Sequence, residues 1–489
     1  MTRAATVFLA VVFLVQPGVA PAQDLSRLLI DLLATGVVSD HGTNNRVLPP
    51  GVDPNHEGHF LITESSPLLF LNAALFNQAV ATQLSSFPLG SASGGFTYSF
   101  DPETGTFSRT SDSFGSTFTE RSVTQGRGKF SAGVNYQHSN YDSFEGKSLD
   151  GGELKFFLEH NNCCPGGADR EVATGDATPE LAPFFEGDVV ASALSINLTT
   201  DTTLLFANYG VSDRVDVALI LPFTRVDLKA TNSASITRLS TEAFPEVHLF
   251  DGADPSQSQF STSGSATGLG DIAVRAKWNF LRSADGGLAA GLELRLPTGN
   301  EKDLLGSGAM QGKLSLIGSK FFGRFGLHGN AGYRISGDGL ERQISITDVD
   351  RQTGQSSTRV IDLDDDPVAA QVNLNPDEFS YAVGIDIAAA HRVTVTGDVF
   401  GRVLFDAGRL DDQSGQFRFR VGSNQAPISS TQFPELDLTG RDLHQAFGTL
   451  GLKVNLTNTL LLTASGIFAL TDAGLKDSFT PLIGLDYTF

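Results

Sequence analysis

From about Phe130 to the carboxy terminus the chain repeats one unit: roughly ten residues of alternating apolar and polar character, a short turn, ten more, then a long polar stretch. Between Gly270 and Phe280, Ile272, Val274, Ala276, Trp278 and Phe280 share one face, while Asp271, Arg275, Lys277 and Asn279 share the other, because successive side chains on a strand point to opposite sides. The same phase places Leu288, Ala290, Leu292, Leu294 and Leu296 against Glu293 and Arg295, and Leu327, Ala331, Tyr333 and Ile335 against His328, Asn330 and Arg334. Phe379, Tyr381, Val383, Ile385 and Ile387 oppose Ser380, Gly384 and Asp386; Val393, Val395, Val399 and Val403 oppose Thr394, Thr396, Asp398 and Arg402; Leu450, Leu452 and Val454 oppose Lys453 and Asn455. One face suits lipid and the other suits water.

A soluble β-sandwich also alternates, and the connections decide between the two. Short ones at Ser212–Asp213, Ser283–Gly286, Gly323–Arg324, Ala390–Arg392 and Thr457–Asn458 alternate with long ones at Lys229–Gly268, Asp338–Pro376 and Asp406–Gly440, the asymmetry of a membrane barrel. In the last strand Phe479, Pro481, Ile483, Leu485, Tyr487 and Phe489 alternate with Thr480, Gly484, Asp486 and Thr488, and the chain stops on Phe489. A terminal strand of this kind, with Tyr487 and Phe489 at its end, resembles the signal by which outer-membrane assembly machinery recognises its barrels. The expected fold is all-β: a transmembrane antiparallel up-and-down β-barrel of about 14 strands, or 12, with a partly helical N-terminal plug. The count turns on residues 187–210, where the phase blurs between Thr199 and Thr202 and the stretch reads as one strand or two.

The start of the chain does not alternate. Arg3, an apolar run from Ala4 to Val15, a Pro-Gly break and Ala20-Pro21-Ala22 form a secretory signal with cleavage before Gln23; the run is too short to span a bilayer. Gln23 to Leu89 holds two helix-like apolar pieces, Leu25–Leu33 and Leu68–Leu84, separated by polar sequence. The expected division is a cleaved signal peptide over residues 1–22, a plug or periplasmic segment over 23–93, and a barrel over 94–489 with long outer loops near 143–186, 229–267, 338–376 and 406–440. A barrel of fourteen strands has a lumen too wide for its own side chains to fill, which gives the plug its place.

Composition fits this picture. A mean hydropathy of −0.03 suits alternating strands as well as it suits a soluble protein, and 52 Gly and 36 Phe against 2 Met and 2 Cys mark a β-prone chain. A net charge of −21 argues against nucleic acid as a partner. The acidic run Asp362–Asp366 reads as a solvated loop, with a divalent-cation bridge to lipopolysaccharide as the sharper alternative. Cys163 and Cys164 are adjacent and cannot staple a long loop, which leaves a vicinal disulfide or free thiols. With His160 they make a weak metal motif, and neither a metal nor a cofactor is expected.

The lumen-lining candidates are Arg275, Lys277, Glu293, Arg295, Arg334, Asp386, Asp398, Arg402, Lys453 and Asp486, whose plainest role is to pair with one another and hydrate the interior. Gly268-Leu269-Gly270-Asp271 opening a strand, Leu296-Pro297-Thr298-Gly299 ending the next and Gly306-Ser307-Gly308 closing the loop resemble the pattern of the outer-membrane proteins grouped under the phenol meta-cleavage (MetA) pathway. Asn208-Tyr209-Gly210-Val211-Ser212-Asp213-Arg214 is similar too, and the likeness extends over residues 187–489. It implies a transporter of aromatic or other hydrophobic compounds, with Gly268, Gly270, Asp271, Pro297, Thr298, Gly299, Gly306 and Gly308 as family-like positions. The plan of a plug followed by a barrel also resembles the long-chain fatty acid transporters, without an Asn-Pro-Ala hook at the start of the mature chain.

The expected function is therefore passive passage of small hydrophobic or aromatic compounds through a plugged lumen. Expected partners are outer-membrane lipid and lipopolysaccharide, the barrel-assembly machinery, periplasmic chaperones and the solute. A general porin and a structural or adhesive barrel are the competing readings. A lipase is a third, suggested by His138-Ser139-Asn140, but neighbours on a strand face opposite ways, so Ser139 could not pass its proton to His138. His138 shares its face with Val134 and Tyr136, as in an interfacial belt.

Overall fold

In the computed structural model the described residues are 25–28, 32, 79–80, 82–84, 90–91, 95–101, 106–109, 111–159, 184–250, 254–283, 285–337, 343–349, 356–362, 373 and 375–489. The signal sequence, His160, Cys163, Cys164, most of residues 23–93 and all of the acidic run but Asp362 lie outside them.

Twelve strands among the described residues close a ring, every neighbouring pair antiparallel. They are β1 (Phe130–Tyr141), β2 (Val189–Gly210), β3 (Val215–Thr237), β4 (Ile272–Ser283), β5 (Gly286–Leu296), β6 (Gln311–Phe322), β7 (Phe325–Ser336), β8 (Glu378–Ala390), β9 (Val393–Arg420), β10 (Ile428–Asn455), β11 (Leu460–Ala469) and β12 (Phe479–Thr488). The seam pairs β12 with β1 from Leu482↔Gln137 to Thr488↔Ser131, and the amide of Phe489 donates to Phe130 O at 2.8 Å. Closure matters because lipid offers a free strand edge no hydrogen-bond partner.

The sheet holds fourteen pieces and the ring twelve, and the difference has a local cause. Leu154–Glu159 continues β1 upward along β2 after an excursion over residues 142–153, while Gln257–Leu269 descends along the upper half of β3 and passes into β4. The second break lies opposite Pro222, where Gly270 N still donates to Pro222 O at 2.8 Å. The ambiguous stretch before Gly210 is a single strand of 22 residues, which fixes the lower of the two expected counts.

Residues 406–440, expected as a loop, instead prolong β9 and β10 into a long hairpin with a register shift at Asp406. Phe417, Phe419 and Phe433 on it pack against one another and on Phe157. Much of the expected loop 229–267 is likewise strand. The five short turns leave β2, β4, β6, β8 and β10 at the end of the barrel where Phe489 lies.

Outside, the belt of exposed large apolar residues runs from Val217 through Leu316 and Val383 to Ile483. Aromatic rings border it at the Phe489 end (Phe130, Tyr209, Trp278, Phe322, Tyr487) and at the opposite end (Tyr136, Tyr333, Phe379, Phe468), the girdles of a membrane barrel.

The hairpin folds across the loop-side mouth. At its tip Gly422 N donates to Ser240 O and Phe184 N to Asn424 Oδ1, and near its base Arg409 pairs with Glu145 at 2.7 Å. Beneath the tip, Asp188 is fully buried and accepts from the amides of Ser240 and Thr241, the Thr241 hydroxyl and His248 Nδ1. Burial alone would raise the Asp188 carboxyl, but His248, Thr241 and Ser240 stabilise its charge and hold it below the ordinary carboxylate value.

Two predictions follow from this arrangement. A depressed carboxyl contributes stability that is complete above its unfolded value of about 3.9 and is lost as the pH falls through the folded one. Amide exchange around residues 240–248 is therefore expected to be slow near pH 6 and faster near pH 3 once intrinsic rates are divided out, and equal protection at both would refute the latch. Val399 lies mid-belt on β9, so Val399→Arg is expected to cost about 2–4 kcal/mol in denaturant unfolding from bilayers. A cost near zero would mean that this face does not meet lipid.

Candidate functional site

The lumen is occupied by the chain's own N-terminal portion at two heights. At the Phe489 end run the described residues of 95–128, expected as part of the barrel; the first ring strand begins only at Phe130. This segment has a short hairpin, Tyr98–Asp101 with Thr106–Arg109, and is otherwise irregular over 111–128. Irregular backbone inside a barrel needs partners for its amides and carbonyls, and inward-facing side chains of the wall supply them.

Asp398 on β9 accepts from Thr117 N at 3.2 Å, Thr119 N at 3.1 Å and the Thr119 hydroxyl at 2.6 Å. Asp486 accepts from Gly95 N at 2.9 Å, and Thr394 Oγ1 from Phe114 N at 3.1 Å. Lys453 donates to Ser116 O at 2.8 Å, Lys277 to Arg121 O at 3.1 Å and Asn279 to Ser122 O at 2.7 Å. Gln125 N donates to Asp216, and Ser122 N to Ser319 Oγ. Arg121 is fully buried, and Gly115 is in the left-handed region with no room for a Cβ beside the Arg121 guanidinium.

Nearer the mouth, four described apolar residues of the expected plug are buried. Leu25, Leu32, Ala79 and Val80 belong to one cluster with Val226, Leu228, Leu304, Leu410, Leu436 and Leu475 of the barrel and its loops. Gln83 Oε1 accepts from Leu475 N at 2.6 Å and from Gln445 Nε2 at 3.1 Å.

Between the two lies a cavity of about 150 Å³, partly open to its surroundings. Its charged lining comprises Arg275, Lys277, Arg295, Lys313, Arg334 and Arg402 with Glu120, Asp216, Glu293 and Glu378. Glu293 accepts from both Arg275 and Arg295, and Glu378 pairs with Arg334 at 2.7 Å and Arg402 at 3.9 Å. Phe118 of the plug stacks on Phe400 at 4.5 Å along its apolar side, with Ile317 and Ala382.

All ten charged residues expected in the lumen occupy inward positions and are buried or line this cavity. Lys277, Asp398, Lys453 and Asp486 hold the plug, Lys277 also bordering the cavity, with Asp386 nearby paired to His328, which reaches Ser319. Arg275, Glu293, Arg295, Arg334 and Arg402 line the cavity, Arg402 also donating to Gln445 Oε1 at 2.7 Å. Sequence reasoning passed over Lys313, Glu378, Phe118, Phe400 and Glu120. The first two had a signal, since Gln311–Ile317 alternates and Glu378 continues the phase of Phe379–Ile387; Phe118 and Glu120 lie in a stretch without period.

The glycine motifs form a knot at the rim. Asp271 accepts from Gly299 N at 3.1 Å, Ser307 N at 2.8 Å and the Ser307 hydroxyl at 2.8 Å, and Thr298 Oγ1 donates to Gly270 O at 2.7 Å. Gly299 and Gly306 approach so closely that a Cβ on either would meet the other's backbone, and Gly308 has positive φ. A Cβ on Gly268 would meet Leu305. The loop that Pro297 opens thereby turns inward and buries Leu304 and Leu305 in the lumen. On the outer face Tyr487 packs against Phe489, and Phe489 against Phe130 across the seam. His138 faces outward and meets Asp201 at 2.8 Å, whereas Ser139 faces inward and meets Thr480. Among the described residues no cluster of three metal-ligating side chains occurs.

Removing the Asp398 carboxylate leaves three plug donors without an acceptor, and bonds to a charged group are worth about 1.5–3 kcal/mol each. Asp398→Ala is expected to speed amide exchange at Thr117 and Thr119 by at least about tenfold with the barrel still folded; unchanged exchange would show that the wall does not hold the plug.

No curated protein matches the chain in sequence. Among solved structures it is similar to the COG4313 outer membrane channel from Pseudomonas putida F1 (12% identity, TM-score 0.39, 75% of this chain and 98% of that one) and to a Pseudomonas aeruginosa FadL homologue (10%, 0.31, 74% and 90%). It is also similar to the Ralstonia pickettii toluene transporter TbuX (10%, 0.23, 74% and 90%). These likenesses are loose, and the barrel rests on its own geometry. Residues 170–363, less than half of the chain, match the model of the family described as the putative MetA-pathway of phenol degradation, the family that the glycine motifs resemble.

Proposed function

We propose that this chain is an outer-membrane transporter that lets small hydrophobic or aromatic compounds diffuse passively through a lumen gated by its own N-terminal segment. The observation that carries the reading is the arrangement of the lumen: chain at two heights, a hairpin over the mouth, and a cavity between that is large enough for a small solute. An open porin needs a continuous aqueous bore, and here several of the wall's charges are spent on holding the plug. Catalysis has no support at His138 and Ser139, which face opposite sides of β1. On this reading the signal sequence directs export with maturation at Gln23, the terminal strand engages the assembly machinery after periplasmic chaperones, and the outer girdle meets lipopolysaccharide.

The test is planar-bilayer conductance together with liposome uptake of a neutral aromatic solute. The mature protein is expected to be nearly silent electrically while admitting the solute. A variant lacking residues 23–128 is expected to carry a steady current. A large steady current from the complete mature protein would place it with the general porins instead.

A further inference from the structure

Along the barrel wall at one height, five directly opposed residues on adjacent strands form the row Arg275↔Glu293↔Lys313↔Arg334↔Glu378. Its signs run plus, minus, plus, plus, minus. Opposite charges facing each other across strands stabilise a sheet, and like charges facing each other destabilise it, so the Lys313↔Arg334 step is the anomaly. Both carboxylates lie near enough to act on Lys313, but among the described residues neither forms an ion pair with it. Glu293 is taken by Arg275 and Arg295, and Glu378 by Arg334 and Arg402.

Two donors are left over. Among the described residues Lys313 has neither a hydrogen bond nor an ion pair, and Arg334 Nε is buried without a partner although its Nη2 reaches Glu378. Gly332 leaves the space in which the Lys313 side chain lies, since a Cβ there would fall 2.8 Å from Lys313 Cε. Both donors border the cavity, whose lining among the described residues carries six cations against four carboxylates in a protein of net charge −21. An excess of positive charge removed from bulk water needs an anion. The stacked Phe118–Phe400 pair in the same lining offers a flat apolar surface.

We propose that this cavity is a binding site for a small aromatic carboxylate, its anionic group held between Lys313 and Arg334 and its ring against Phe118 and Phe400. A carboxylate accepts from both cations at once and turns the repulsive step into a bridge. The site rests on the transport reading, because the lumen is then the solute's path, and it narrows the solute from apolar compounds in general to amphiphilic anions.

The experiment is calorimetric titration of the refolded mature protein in detergent with sodium benzoate, with benzyl alcohol as the neutral counterpart and sodium acetate as the anion without a ring. Saturable benzoate binding is expected, at least about tenfold tighter than either control, a difference of about 1.4 kcal/mol. Lys313→Gln is expected to weaken benzoate at least tenfold and to leave benzyl alcohol within about twofold, with the heat-modifiable gel shift retained as proof of folding. Benzoate binding no tighter than acetate, or unmoved by Lys313→Gln, would overturn the site. Liposome uptake separates the two claims: uptake of neutral solute without tight benzoate binding sinks this site alone, and benzoate binding without uptake of any solute sinks the transport reading alone.

Discussion

A sheet placed in lipid must leave no backbone donor or acceptor unpaired, and the rest of this structure follows from that requirement. The ring closes where the last strand meets the first, so the chain's final residues are also its seam: Phe489 N bonds Phe130 O while the two rings pack outside. Closure fixes the pleat, the pleat fixes which side chains face in, and a twelve-stranded circle encloses more space than those side chains fill. Among the described residues, those ahead of Phe130 occupy that space.

The interior then has an obligation of its own, because a plug of irregular chain carries amides and carbonyls that water does not reach. The wall answers with single ionic groups that each satisfy several plug atoms, as Asp398 does for Thr117 and Thr119 and Lys453 for Ser116. Charged groups make stronger hydrogen bonds than neutral ones, which suits a segment of irregular backbone that must be held away from water. The cavity-lining charges behave differently. Arg275 and Arg295 share Glu293, Arg334 and Arg402 share Glu378, and Lys313 and Arg334 face each other.

The barrel was legible because lipid imposes a strict period of two. Ile272–Phe280 and Phe379–Ile387 reveal both faces without any structure, and the tight turns could be read from Gly323-Arg324 and its counterparts. What was not legible has physical reasons. Thr199–Thr202 blurs the phase because the apolar side changes there: Leu194, Ile196 and Leu198 above it face the buried inner cluster, while Tyr209 below it faces outward, so the stretch read as one strand or two. The β9–β10 hairpin above the belt lost the lipid signal, since both of its faces meet protein or water. Residues 95–128 carry no period, because their partners are wall side chains distant in sequence. Lys313 stood in readable alternation, but only the register shows that it faces Arg334.

Trp278 is the single tryptophan of the sequence and lies on the outer face, 55% exposed, near the Phe489 end of the barrel. Its fluorescence in bilayers tests the central claim directly, that the two-residue period marks a closed wall with lipid outside and the plug within. Emission should be blue-shifted, quenched by brominated acyl chains and insensitive to aqueous iodide. Red-shifted emission quenched by iodide and untouched by brominated lipid would mean that this face meets water, and the barrel, its plug and its transport path would all fall with it.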